Sequence, residues 1–307
     1  MIMREIGRAV ISGASCSMGT ALVRQMTEKG ISVTVLCRRG STRNSEFENM
    51  PGVSIRYLEM SEYSAAQNDT GEKYDVFFHL AWDDRKSPRT RNDVYLQKEN
   101  LGYALDAVGL AYRLGCHTFV GLGSQAEYGR YEGKLTGKTP TFPETAYGAA
   151  KLCTGEMTRI EAHRLGMAHE WVRVLSVFGP KDSENTMIKS AIVKLTRGEV
   201  PQFTKGEQKW DYLFCEDAAR ALFSVAKSGV DGKIYPLGSG VARPLSEYIC
   251  EIRDTVAPGA KIDLGAVPYA PGQVMYLCAD ISELTADTGF VPITSFSDGI
   301  KSFIEKG

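Results

Sequence analysis

Histidine is scarce in this chain, four residues in 307, and His79, His117, His163 and His169 show no metal-ligand spacing. A histidine-based metal centre is not indicated, and His79 reads as a packed strand residue. No two cysteines form a CxxC pair. Cys16, Cys37, Cys116, Cys153, Cys215, Cys250 and Cys278 are scattered and odd in number, which argues against a zinc site or a disulfide framework and suits free thiols in a reducing compartment. Excess charge of either sign is also lacking. With 36 Lys and Arg against 37 Asp and Glu, net charge attracts neither nucleic acid nor an anionic membrane. No apolar run approaches membrane-spanning length, and the start, MIMREIGRAVISG, enters a predicted strand without a charged-then-apolar leader. The expectation is a cytoplasmic protein whose partner is a small molecule.

What is present is a regular alternation. Candidate strands lie at 8–12, 31–37, 53–58, 74–81, 117–123 and 169–178, and amphipathic segments fall between them. In the first of these segments Met18, Leu22 and Met26 recur every four residues before Gly30; 94–115 and 145–165 also read as helices. Strand and helix in alternation predict an α/β fold, a doubly wound parallel sheet with helices on both faces. After about residue 180 the regularity stops, and short strands mix with joints such as YPLGSGVARP and PYAPGQ. We expect a dinucleotide-binding domain over 1–180 and a smaller α+β substrate lobe over 181–307, sharing a cleft, with some chain crossing back to the first domain.

The turn ISGASCSMGTALV follows the first strand and opens the first helix. Gly13 permits the tight turn and Gly19 close packing of the helix, whose N-terminus then faces a pyrophosphate. The second strand ends in VLCRRGSTR, where NAD-binding folds offer a carboxylate to the ribose. Arg38 and Arg39 instead suit a 2′-phosphate, which favours NADP(H) and leaves NAD(H) as the alternative.

YGAAK places Tyr147 and Lys151 on one helical face. A free phenol titrates near ~10, so it moves protons at neutral pH only when a neighbouring cation stabilises its phenolate. Lys151 would be that cation. Ser124, at the carboxyl end of the fifth predicted strand, is placed to bind the same substrate oxygen.

These pieces, GASCSMG, FFHLAW, Asn100 in KENLGYALDA, GSQAEYG, YGAAK, RVLSVFGP, WDYLFCEDAARAL and YPLGSG, together resemble an extended short-chain dehydrogenase/reductase of the NAD-dependent epimerase/dehydratase family. The resemblance covers nearly the whole chain and implies nucleotide-diphosphate sugars as substrates. It implies Ser124, Tyr147 and Lys151 as the catalytic trio. It also implies cofactor contacts from Gly13, Ser15, Cys16, Ser17, Met18 and Gly19, from Leu80, Ala81, Trp82 and Asn100, and from Tyr147 and Lys151, the last holding the nicotinamide ribose. Relatives pair the helices matching 94–115 and 145–165, which implies a homodimer.

Departures from the family pattern narrow the reaction. Cys16 stands where the middle glycine of the turn is usual, Ser176 where many members have asparagine, and only Glu59 and Ser61 stand near the usual adenine-contacting acid. Gln125 and Ala126 replace the Asp-Glu pair of the 4,6-dehydratases, with Glu127 one place later. A cysteine used for epimerisation beside the ketone is absent at Ala126. The remaining readings are an NADPH-dependent reductase of a nucleotide-linked 4-keto-6-deoxy sugar, similar to the CDP-abequose and CDP-paratose synthase-like ketoreductases, and an NAD-dependent 4-epimerase. A non-catalytic NADP-binding sensor is the reading from another class. Candidate substrate contacts are Asp83 and Arg85, with Trp82 and Asp84 beside them, then Gln125, Ser176, Asp182, Asn185, Trp210 and Tyr269.

Overall fold

A computed structural model of the chain describes residues 3–83 and 88–306. Six strands, β1 (Arg8–Ser12), β2 (Ser32–Cys37), β3 (Val53–Tyr57), β4 (Val76–His79), β5 (Thr118–Ser124) and β6 (Ala168–Val174), alternate with helical segments. The chief of these are α1 (Ser17–Glu28), α2 (Val94–Arg113) and α3 (Ala146–Arg164). Beyond them come β7 (Ser176–Phe178), α4 (Met187–Thr196), β8 (Gln202–Phe203), β9 (Lys209–Trp210), β10 (Tyr212–Phe214), α5 (Cys215–Ser228) and β11 (Ile234–Leu237). The chain closes with β12 (Arg243–Pro244), α6 (Leu245–Val256), β13 (Asp263–Leu264), α7 (Ser282–Thr288) and α8 (Phe296–Lys306).

The main sheet has seven parallel strands in the order β3-β2-β1-β4-β5-β6-β11, so the winding direction reverses between β1 and β4. In such a sheet the crevice for a ligand opens beyond the carboxyl ends of those two strands. The stripe Met18, Leu22 and Met26 buries α1 against one face, together with Val35 and Leu222 of α5. Phe77, Phe119, Val108, Leu110 and Ala162 fill the other face under α2 and α3. A smaller core joins α4, α6 and α8 to β7 and β10 through Ile188, Ile192, Phe214, Ile252 and Phe303.

Two features differ from the pattern read in the sequence. The segment 169–178 is two strands: the Leu175 amide makes a last bond to the Leu237 carbonyl, after which β7 leaves the sheet to pair with β10. The seventh strand, β11, comes from IYPL, inside a stretch that reads as a Pro/Gly-rich joint. Pro236 is tolerated because β11 stands at the edge of the sheet.

Candidate active site

At the end of β1, Gly13 adopts φ +73°, and a Cβ there would lie 2.5 Å from the Ala81 amide nitrogen and 2.7 Å from the Leu80 carbonyl carbon. Glycine is required on both counts. A Cβ on Gly19 would meet the Ala14 carbonyl oxygen at 2.7 Å, so α1 starts hard against the turn. The first turn of α1 carries no acidic residue, leaving its positive end to an anion. This cradle, with glycine at both close approaches and an uncompensated helix N-terminus, fits a nicotinamide dinucleotide.

Cys16 modifies the cradle. Its Sγ accepts from the Gly19 amide at 3.3 Å, and the Cys16 and Met18 amides also face it. Burial pushes the thiol up, while these amides and Lys181 oppose that shift. The thiol therefore occupies part of the donor set that a pyrophosphate would use. Ser15 lies in the turn itself, and Met18 is buried under the helix. The Ser17 hydroxyl donates to Asp182 Oδ1 at 3.2 Å and accepts from the Lys181 amide at 2.9 Å, tying the cradle to the loop after β7.

Ser124 ends β5, and Thr145 caps α3 by accepting from the Gly148 amide at 3.0 Å, which sets Tyr147 and Lys151 in the first two turns. The Ser124 hydroxyl accepts from the Ala126 amide at 3.2 Å, and the Arg91 guanidinium carbon lies 4.6 Å from the centroid of the Tyr147 ring. Burial raises the phenol above its ordinary value; the Ser124 bond and the Arg91 charge oppose this. The Lys151 ammonium donates to the Leu122 carbonyl at 2.7 Å and lies 3.7 Å from the centroid of the Trp82 ring and 6.0 Å from that of Tyr147. Burial pulls Lys151 down to about 7, with Glu127 acting against it. Trp82 stands edge-on to Tyr147 at 5.9 Å and donates to Gln97 Oε1 at 3.0 Å. The structure thus gathers Ser124, Tyr147, Lys151 and Trp82 around one point beside the β1–β4 crevice.

Asn100 is buried on α2. Its amide clasps the backbone of Asp83 on both sides, accepting from the nitrogen and donating to the oxygen, each at 2.8 Å. It thereby fixes the wall that carries Trp82. Arg85 and Asp84 lie outside the described residues. Arg39 is already engaged, with its guanidinium 2.6 Å from Glu62 and its amide on Glu59 Oε1. Glu59 thus serves Arg39 and caps a short turn, and Arg38 is the arginine left facing outward.

Glu127 is fully buried. One oxygen accepts from the Ser124 amide, the other lies 2.6 Å from Arg173 Nε, and the Trp171 indole donates to both. Gln125 is half-buried at the start of that turn. His79 is buried in β4 and bonded through Nδ1 to the Ser12 hydroxyl at 2.8 Å; burial drives it down to about 3. Among the described residues no His, Cys, Asp and Glu cluster has metal-binding geometry.

A cavity of about 390 Å³ opens between β7, α4 and the β9–β10 segment. Ser176, Asp182 and Trp210 all line it, and the Trp210 indole donates to the Ser176 hydroxyl at 2.7 Å. Asn185 is exposed and does not reach it, and the Tyr269 hydroxyl instead accepts from the Glu207 amide at 3.0 Å. Gln208, Tyr212 and Gln273, not singled out in the sequence, also line the cavity. Gln208 is 5% exposed, and among the described residues no group bonds its Oε1.

The profile of the NAD dependent epimerase/dehydratase family matches residues 9–238. The chain belongs to this family. Among curated proteins it is 25% identical over 178 residues to dTDP-glucose 4,6-dehydratase of Shigella flexneri and 27% identical over 182 residues to an Escherichia coli enzyme of that name. These alignments cover 56% and 55% of the chain, which spans about half the length of these relatives, 49% and 50%. Solved structures match throughout. UDP-glucose 4-epimerase from Thermotoga maritima superposes with a TM-score of 0.82 at 18% identity, covering 97% of both chains. UDP-N-acetylglucosamine 4-epimerase from Methanobrevibacter ruminantium gives 0.85 at 19%, covering 99% and 100%. RMD from Pseudomonas aeruginosa, complexed with NADPH, gives 0.81 at 17%, covering 97% and 98%. At these identities the structural matches establish the α/β fold. Among the described residues no helix is long and apolar enough to cross a membrane.

Proposed function

We propose that this protein is an NADP(H)-dependent oxidoreductase that reduces the keto group of a nucleotide-diphosphate 4-keto-6-deoxy sugar. The observation that carries the reading is the convergence of Ser124, Tyr147 and Lys151 beside the crevice between β1 and β4. Gly13, Gly19 and the start of α1 would hold the cofactor, whose reduced nicotinamide supplies hydride when bound. Ser124 orients the substrate oxygen, and Tyr147 gives that oxygen its proton. Lys151 favours the phenolate left behind. Arg38 supports the phosphorylated cofactor. The nucleotide end of the substrate would take the cavity lined by Asp182, Gln208 and Trp210, where the Gln208 oxygen, unbonded among the described residues, supports a polar ligand. The engagement of Glu127 with Arg173 and Trp171 speaks against dehydration.

A second reading, an NAD-dependent 4-epimerase, is favoured by one observation: Arg39 is neutralised by Glu62 rather than free for a 2′-phosphate. Purified protein separates the two. NADPH oxidation on a panel of CDP-, dTDP-, UDP- and GDP-linked keto-sugars supports the reductase; release of NAD on denaturation, with no NADPH consumption on any of them, supports the epimerase. For assembly we favour a homodimer, because Tyr112 on α2 and Met157 and Ile160 on α3 leave apolar surface exposed. Light scattering of the purified protein tests this.

A further inference from the structure

A second cation attends Tyr147. Arg91 places its guanidinium carbon 4.6 Å from the centroid of the Tyr147 ring, and its charge opposes the burial that raises the phenol. Lys151 is farther away, 6.0 Å from the same ring, and its ammonium is committed to the Leu122 carbonyl and the Trp82 face. The Arg91 backbone is held from both sides. The preceding residue, Thr90, accepts from Gln97 Nε2 at 2.9 Å, and Gln97 itself is buried. The following residue, Asn92, accepts from the Ala146 amide at 3.2 Å, docking this segment onto the first turn of the helix that carries Tyr147. Gln97 also anchors Trp82, so one buried amide fixes both neighbours of the phenol.

We infer that Arg91 is a positioning residue for proton transfer, a fixed cation that stabilises the Tyr147 phenolate. The inference rests on the reading of Tyr147 as the proton donor. When the phenol passes its proton to the substrate oxygen, the O–H bond breaks, and the charge left on the phenol oxygen faces a guanidinium, which keeps its charge throughout the working pH range. A guanidinium over an aromatic face is itself an attractive pairing, which holds the ring while it is neutral. Other described groups facing the phenol are the Ser124 hydroxyl, the Lys151 ammonium, and Glu127, whose charge opposes ionisation. Against Glu127, Arg91 and Lys151 form a divided counter-charge.

The test is an NMR titration of protein labelled at tyrosine Cζ, with Tyr147→Phe identifying the Tyr147 resonance. It requires no substrate or cofactor, so it stands apart from the assay of the reductase reading. In Arg91→Gln the Tyr147 midpoint is expected to rise by about one pH unit over wild type, and Arg91→Lys should recover part of that shift. Superimposable titrations of wild type and Arg91→Gln overturn the inference. So does a wild-type Tyr147 that stays protonated up to alkaline unfolding. Where the keto-sugar panel yields a substrate, Arg91→Gln should lower kcat more than it raises KM; a change confined to KM would make Arg91 a substrate contact and likewise overturn it.

Discussion

The Lys151 ammonium sits 3.7 Å above the Trp82 ring, so the residue expected to tune the phenol is itself tuned by an indole. The negative face of the ring favours the charged form, against the burial that pulls Lys151 down to about 7. Trp82→Leu removes about 1 kcal/mol of that support, so the Lys151 midpoint should fall by about half a pH unit to one unit. Reduction that needs the ammonium should then lose activity at correspondingly lower pH. An unchanged alkaline limb in the pH profile of kcat/KM would show that Trp82 does not tune Lys151.

The same burial has a stability consequence. The Lys151 midpoint falls from 10.5 to about 7 on folding, so between these values the unfolded chain binds a proton that the folded protein releases. Lys151 therefore costs stability as pH drops below 10.5, and the full cost is reached below about 7. Lys151→Met should raise the melting temperature most in mildly acidic buffer, with the gain fading toward alkaline pH. Thermal melts across that range check the sign.

Cys16 takes the Gly19 amide that an anion at the start of α1 would use. Cys16→Gly frees that donor at the cost of a helix cap worth only a few tenths of a kcal/mol. One net hydrogen bond is worth about 1 kcal/mol, so NADPH should bind roughly fivefold tighter. Calorimetric titration of NADPH into both proteins measures the change.

Glu127→Gln separates a structural carboxylate from a catalytic one. The change leaves Arg173 charged and buried at 3% side-chain exposure, which should destabilise the fold by about 3–5 kcal/mol. Chemical denaturation reads this directly. Wild-type stability in the variant would mean that Glu127 is not committed to Arg173.

The parts of the fold legible in the sequence were those with a local cause. The stripe of Met18, Leu22 and Met26 and the turn at Gly13 specify α1 and its cradle with little help from distant residues. Ser124, Tyr147 and Lys151 could be placed because a strand end and one helical turn bring them together. What escaped was decided by tertiary contact. Pro236 hides β11 until β6 is seen beside it. Arg91 sits in SPRTRNDVY, a charged loop without periodicity, and only the bonds to Gln97 and Ala146 direct it to Tyr147. The capture of Arg39 by Glu62, 23 residues on, likewise leaves no local signature.

The central claim is that the Tyr147 hydroxyl passes the proton while its neighbours hold the phenolate. The direct measurement is steady-state NADPH oxidation by wild type and Tyr147→Phe on whichever keto-sugar of the panel turns over fastest, with NADPH affinity measured in parallel. The account predicts a loss of roughly a hundred- to ten-thousandfold in kcat with NADPH binding retained. Undiminished turnover by Tyr147→Phe would contradict it.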